Sequence, residues 1–275
     1  MKIDIALTVT HRFECLNVLL DILKNNFKNE YVTHVFCNLN ENDFASYKNK
    51  IDFTLIDHFH HIPDDAFMKQ NTYESEKSRE KYKRIQPLKL IKKTFLAMSC
   101  KDVEKFIYTE CDCFPLIEDK YISYFYEASD EALIAAHTHK KSPKSPNGFI
   151  LPSPIYLTKK HASLISNAIV EPILPNSCNF EGRLMTAIKM SNTLIKQIDE
   201  NFPNNSFSNR NLFNATESTH QHNILNLRNS FIEFGIDNGK WINQVLNDDR
   251  IHESHSGVDM EFDHSFRLEH WNVKC

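Results

Sequence analysis

Phe106-Ile107-Tyr108-Thr109-Glu110-Cys111-Asp112-Cys113-Phe114-Pro115-Leu116 is an apolar run that ends in two carboxylates one residue apart and is closed by a proline. Such a run predicts a buried strand. Side chains alternate across a strand, so Glu110 and Asp112 are expected on one face and Cys111 on the other. Two acids on one face repel each other unless a cation lies between them. Hard divalent ions such as Mg²⁺ are held by one or two carboxylates together with phosphate oxygens. A solvated turn after a strand would carry the same triplet, so the flanking sequence has to decide.

Upstream, residues 3–10 read as a buried first strand that runs into His11-Arg12. Phe13, Leu16, Leu20, Leu23 and Phe27 then recur at helical spacing. Residues 32–37 form a second strand leading into Asn38-Leu39-Asn40-Glu41-Asn42-Asp43, and residues 53–57 a short third. The polar segment 58–83 reads as a loop or insertion, with a lid over a bound donor as one role for it. From Gln86 a helix is expected, with Pro87 in its first turn and a stripe of Leu88, Ile91, Phe95 and Met98. Downstream come strand candidates at 132–137, 155–157 and 194–198, helices at 158–169 and from Cys178 to Met190, and loops at 139–146 and 201–214.

Strands alternating with helices predict an α/β fold with a doubly wound, mostly parallel central sheet flanked by helices. Residues 1–200 are expected to form its core, and 201–275 a less regular C-terminal extension that completes the site within one continuous domain or as an appendage. Ligands of such sheets bind at the carboxyl ends of the strands. Thr10-His11-Arg12, residues 38–43, Asp57-His58, and Glu110 with Asp112 all fall there.

The composition narrows the ligand. The chain has 275 residues, ample for a full core, with 41% hydrophobic and 25% charged residues. A formal net charge of −4 gives no footprint for nucleic acid. Glycine occurs only 5 times, and neither GxGxxG nor GxxxxGK[ST] is present. A nucleotide bound here would need its phosphates neutralised by other means, and a metal supplies them. The 7 cysteines are scattered, without a CxxC pair, and suit a reducing cytoplasm. The first residues lack a signal-peptide pattern, and no apolar run reaches transmembrane length. The expected location is the cytoplasm, with at most peripheral contact at the inner face of a membrane.

The arrangement resembles a GT-A-type nucleotide-sugar-dependent glycosyltransferase over roughly the first two-thirds of the chain. The matching residues are Thr8-Val9-Thr10-His11-Arg12, the basic helix Lys83-Arg84-Ile85-Gln86-Pro87-Leu88-Lys89, the strand end Tyr108-Thr109-Glu110-Cys111-Asp112, and Asn179-Phe180-Glu181-Gly182-Arg183. The resemblance implies a Rossmann-related core and a Mn²⁺ or Mg²⁺ cofactor. The family motif is Asp-x-Asp, and Glu110-Cys111-Asp112 stands in its place. It assigns metal ligation to Asp112, and contact with the ribose or the metal's water shell to Glu110. Thr10 and Arg12 are expected on the nucleotide, and Asn38 and Asn40 stand where the family carries an acid for the base or ribose. Glu181 falls where inverting members place an acid.

The implied chemistry is transfer of a sugar from a UDP- or GDP-sugar to a glycan or lipid-linked acceptor, as in surface polysaccharide synthesis. A divalent ion would stabilise the diphosphate leaving group, and a general base would take the acceptor proton. Glu181, at a helix start, is the candidate base, since the helix dipole favours its ionised form. It is equally read as an acid placed there for the dipole alone.

Other candidates carry plainer readings beside the functional ones. His220 and His222 lie two apart and would share a face on a strand; either could complete the metal shell or sit in a polar turn. Arg84, Lys83 and Lys89 could touch phosphates or form a solvated helix face. His58, His60, His61, His137 and His139 read as surface or loop, and without HExxH they make no zinc hydrolase. Lys140, Lys141 and Lys144 read as an anion-binding or merely solubilising loop, and Trp241 and Trp271 as sugar-stacking or core residues. Cys111 and Cys113 read as small inward-facing residues. Two alternatives stay open: a sugar nucleotidyltransferase, which would usually have a glycine-rich first loop, and a catalytically silent glycan-binding domain of the same fold.

Overall fold

A computed structural model describes residues 2–10, 13–63, 76–111, 113–115, 118–135, 138–139, 147–150, 154–170, 180–197 and 218–220. Within these, only the backbone is described at 14–15, 26, 76–86, 113–115, 120, 138–139, 149, 197 and 218–220. The strands are β1 (Lys2–Val9), β2 (Glu30–Cys37), β3 (His58–His61), β4 (Lys105–Glu110), β5 (Cys113–Pro115), β6 (Ala132–Ala135), β7 (Thr138–His139), β8 (Phe149–Ile150), β9 (Ile155–Thr158), β10 (Leu194–Gln197) and β11 (Ser218–His220). The helices are α1 (Phe13–Asp21), α2 (Glu41–Tyr47), α3 (Glu76–Ser99), α4 (Glu118–Glu127), α5 (Lys159–Ala168) and α6 (Phe180–Met190). A π turn at Ile22–Asn26 extends α1 as far as Phe27.

Seven strands form one sheet in the order β10-β6-β9-β4-β1-β2-β3. β3, β2, β1 and β4 pair in parallel, as do β6 and β10; β9 runs antiparallel to both of its neighbours. The expected α/β fold with a mostly parallel sheet between helices is therefore present. β1 explains the arrangement: Ile3, Ile5, Leu7 and Val9 join one core with the buried residues of α1 and α4, while Ala6 joins a second core with those of α3, α5 and α6. Both faces of the central strand are covered, which is why its sequence reads as nearly continuous apolar residues.

Four local expectations need correction. Residues 53–57 do not form the third strand: Phe53–Leu55 is a 3-10 turn started by Asp52, whose carboxylate accepts from the Thr54 N–H at 3.0 Å. The strand is β3, inside the segment read as polar loop, because the rings of His58, His60 and His61 stack and pack as apolar surface. Asp57 therefore precedes β3 and lies at the opposite edge from the strand carboxyl ends. It accepts from the Thr33 N–H at 2.7 Å and from Lys24.

α3 starts at Glu76, ten residues before the expected Gln86, and holds Pro87 in its interior. Proline there removes one i→i−4 hydrogen bond. The expected stripe is nevertheless buried: Leu88, Ile91, Phe95 and Met98 all face the second core.

The strand read as continuous through Asp112 is broken. β4 ends at Glu110, Cys111 is in a turn, and β5 starts at Cys113. Strand alternation therefore does not fix Asp112 relative to Glu110. Cys111 is buried in the first core, as expected of a small inward residue.

Candidate active site at the sheet's switch point

The chain leaves β1 toward β2 and β3 on one side, then returns through α3 to β4 on the other. Strand order reverses between β1 and β4, and ligands of doubly wound sheets bind in the crevice outside such a point. Here Thr8 pairs with Glu110 in parallel register, and the Cys111 N–H extends the ladder to the Thr8 carbonyl at 3.2 Å. Below that pair, the buried Thr8 hydroxyl meets the Tyr108 hydroxyl at 3.1 Å. Phe95 of α3 meets the Tyr108 ring edge-on at 5.2 Å, so the crevice floor is backed by packed aromatic surface.

One residue past β1 and one past β2, the Thr10 hydroxyl donates to the Asn38 side-chain carbonyl at 2.9 Å. Asn38 is buried and Thr10 partly so. Thr10, Asn38 and Glu110 thus stand at the carboxyl ends of three adjacent strands, as the sequence led one to expect. Asn40 is otherwise engaged. It caps α2, accepting from the Asp43 N–H at 2.9 Å and donating to the Asp43 carboxylate at 3.0 Å.

A segment from far along the chain reaches the same edge. β11 pairs antiparallel with β5, placing the backbone of His220 opposite Cys113, the residue after Asp112. Sequence spacing alone could not have supplied this register. The side chains of Asp112 and His220 lie outside the described residues, as do Arg12, His222, the Arg84 side chain, residues 140–146 and both tryptophans. Among the described residues no group of three metal-ligand side chains converges. Glu110 fits a divalent ion as a hard oxygen donor.

Glu181 is the second residue of α6, which leads into β10. β10 runs parallel to β6, so α6 returns from the carboxyl edge of the sheet and begins on that side. Burial pushes the Glu181 carboxyl above its ordinary value, while a hydrogen bond from its own N–H pulls the other way. α6 is tied to the hairpin of β7 and β8: Asn147 Nδ2 donates to the Thr186 hydroxyl at 2.9 Å, and Lys189 Nζ donates to the Asn147 carbonyl at 2.7 Å. Gly148 beside it has φ 78°, a conformation glycine takes without steric cost.

Sequence reasoning missed His61, whose ring reaches the Leu39 carbonyl beside Asn38 at 2.6 Å. Its position four residues after Asp57, in a run of histidines, gave no hint of that partner. Among the described residues no helix is long and apolar enough to cross a membrane. No known protein family's model matches the chain, and no curated protein matches it.

Proposed function

We propose that this chain is a metal-dependent glycosyltransferase that moves a sugar from a UDP- or GDP-sugar to a glycan or lipid-linked acceptor, in the synthesis of surface polysaccharide. The observation that carries this reading is the meeting of distant segments at the switch point. Glu110 ends β4 there, Thr10 and Asn38 extend β1 and β2, and the β11 backbone brings His220 beside the acid triplet. This is where a doubly wound sheet takes a nucleotide. The chain has no glycine-rich phosphate loop at that edge.

In this reading Asp112, Glu110 and His220 hold Mn²⁺ or Mg²⁺. The ion supplies Lewis-acid stabilisation of the diphosphate leaving group. Thr10 and Asn38 orient the nucleoside. Glu181 takes the acceptor proton in an inverting transfer, and burial that raises its carboxyl makes the carboxylate a stronger base.

The test is a thermal-shift panel of nucleoside diphosphates with and without Mn²⁺, on the wild type and on Asp112→Ala. Metal-dependent stabilisation by UDP or GDP, lost in the variant, is the expected result. A wild type that none of the diphosphates stabilises with Mn²⁺ present would refute the proposal.

A further inference from the structure

We infer that His61 is a positioning residue for the nucleotide site, fixing the turn that presents Asn38 to Thr10. The inference rests on the reading that Asn38 meets the nucleotide. His61 ends the edge strand β3, and its Nε2 lies 2.6 Å from the Leu39 carbonyl. A carbonyl only accepts, so Nε2 carries the hydrogen and donates. Nδ1 faces the Glu41 carboxylate at 3.8 Å. The ring stacks on Phe44 of α2, with centroids 4.1 Å apart and planes at 27°.

These contacts close a frame around Asn38. The Cys37 carbonyl before it accepts from the Ile62 N–H at 2.8 Å. The Leu39 side chain after it is buried in the first core. Asn40 is held by capping α2. With backbone fixed on both sides, the Asn38 side chain keeps its partner Thr10 at 2.9 Å. The Leu39 carbonyl is the joint of this frame that a side chain from another strand secures, and His61 supplies that side chain.

Two substitutions separate the hydrogen bond from the stacked ring. His61→Phe keeps a ring on Phe44 and loses the donor; His61→Gln loses the ring and restores a donor. Hydrogen–deuterium exchange of the free protein over residues 38–44 is measured alongside affinity for UDP and GDP with Mn²⁺. Exchange at 38–40 should rise about tenfold in His61→Phe and stay near wild type in His61→Gln. Affinity should fall about tenfold in the first variant and recover in the second. Unchanged exchange in His61→Phe, or equal losses in both variants, would overturn the role of His61. A wild type that binds neither diphosphate would instead sink the proposed function, while the exchange measurement would still decide whether His61 holds the turn.

Discussion

Thr8 on β1 and Glu110 on β4 stand opposite each other in parallel register, at the place where the strand order of the sheet reverses. Beyond the pair, Val9 and Cys111 still turn into the first core, while Thr10, the next residue of the first strand's path, is partly exposed at the crevice. Thr8 still belongs to the interior, with its hydroxyl on Tyr108, and Glu110 is partly solvated after four buried residues of its strand. The boundary between folding and function therefore runs between these two side chains.

Asn38→Ala should separate the two roles. It removes one hydrogen bond, that from Thr10, and the expected cost in urea denaturation is about 1 kcal/mol. Binding of UDP or GDP with Mn²⁺ should fall by a larger factor, about tenfold or more, as read by calorimetry. Undiminished affinity would remove Asn38 from the nucleotide site.

The pairing of β11 with β5 can be captured chemically. His220 is directly opposite Cys113, so His220→Cys under mild oxidation should give a disulfide to Cys113, found by peptide mapping. Thr219→Cys should not, because Thr219 is in register with Phe114 and not with Cys113. Failure of His220→Cys to cross-link, or equal cross-linking by Thr219→Cys, would contradict the register.

Acid should weaken the edge of the sheet. Burial, reinforced by Lys101, His34 and His58, brings the His60 ring down to about 4 from an ordinary value near 6.5. Burial also lowers His58, with His34 and Lys101 adding to it. Both rings are favoured neutral in the fold, so between about pH 6.5 and 4 the unfolded chain binds more protons than the folded one. Their contribution is complete above the unfolded value and is lost as pH falls through this window. Discounted for solvent screening, the loss through His60 should be about 1–2 kcal/mol. His60→Phe, stacked on Phe36 as His60 is, should flatten the slope of stability against pH between 6.5 and 4.5.

Glu118 at the start of α4 is an anchor of another kind. Its carboxylate accepts from the N–H groups of Lys28 and Asn29 at 2.8 and 2.9 Å, from Asn29 Nδ2 at 2.8 Å and from the Tyr31 hydroxyl at 3.2 Å. Burial alone would raise its carboxyl, but these bonds outweigh burial and lower it. Its contribution is thus present above the ordinary glutamate range and lost as pH falls through the lowered value. Glu118→Ala should cost about 2 kcal/mol in denaturant titrations near neutral pH, and less at pH 3.

The central strands were legible because burial on both faces leaves an unbroken apolar run, as in β1, β2 and β4. Thr10, Asn38 and Glu110 followed from them, since the end of a buried strand is where polar residues resume. β3 was not legible. Hydropathy counts histidine as polar, yet His58, His60 and His61 serve here as flat rings against His34, Phe36 and Phe44. The start of α3 was hidden by Pro87, which reads as a first-turn residue and lies inside the helix. The partner of the acid triplet was hidden by distance: the pairing of His220 with Cys113 spans more than a third of the sequence, and no local pattern encodes it. The family resemblance remains with the proposal, because order and spacing carry it and no single string does.

The reversed strand β9 has one more consequence. β6 ends at the ligand edge and β9 starts there, because it runs the other way. The whole connection from 136 to 154, including the β7–β8 hairpin, therefore departs from and lands on the same rim. Had β9 been parallel, that connection would have had to cross the sheet and cover a core. As built, it stays on that rim, where Ile150 packs into the second core and Asn147 is bonded to α6. The rim on that side is thus supplied by one connection, anchored at Ile150 and Asn147 to the layer beneath it.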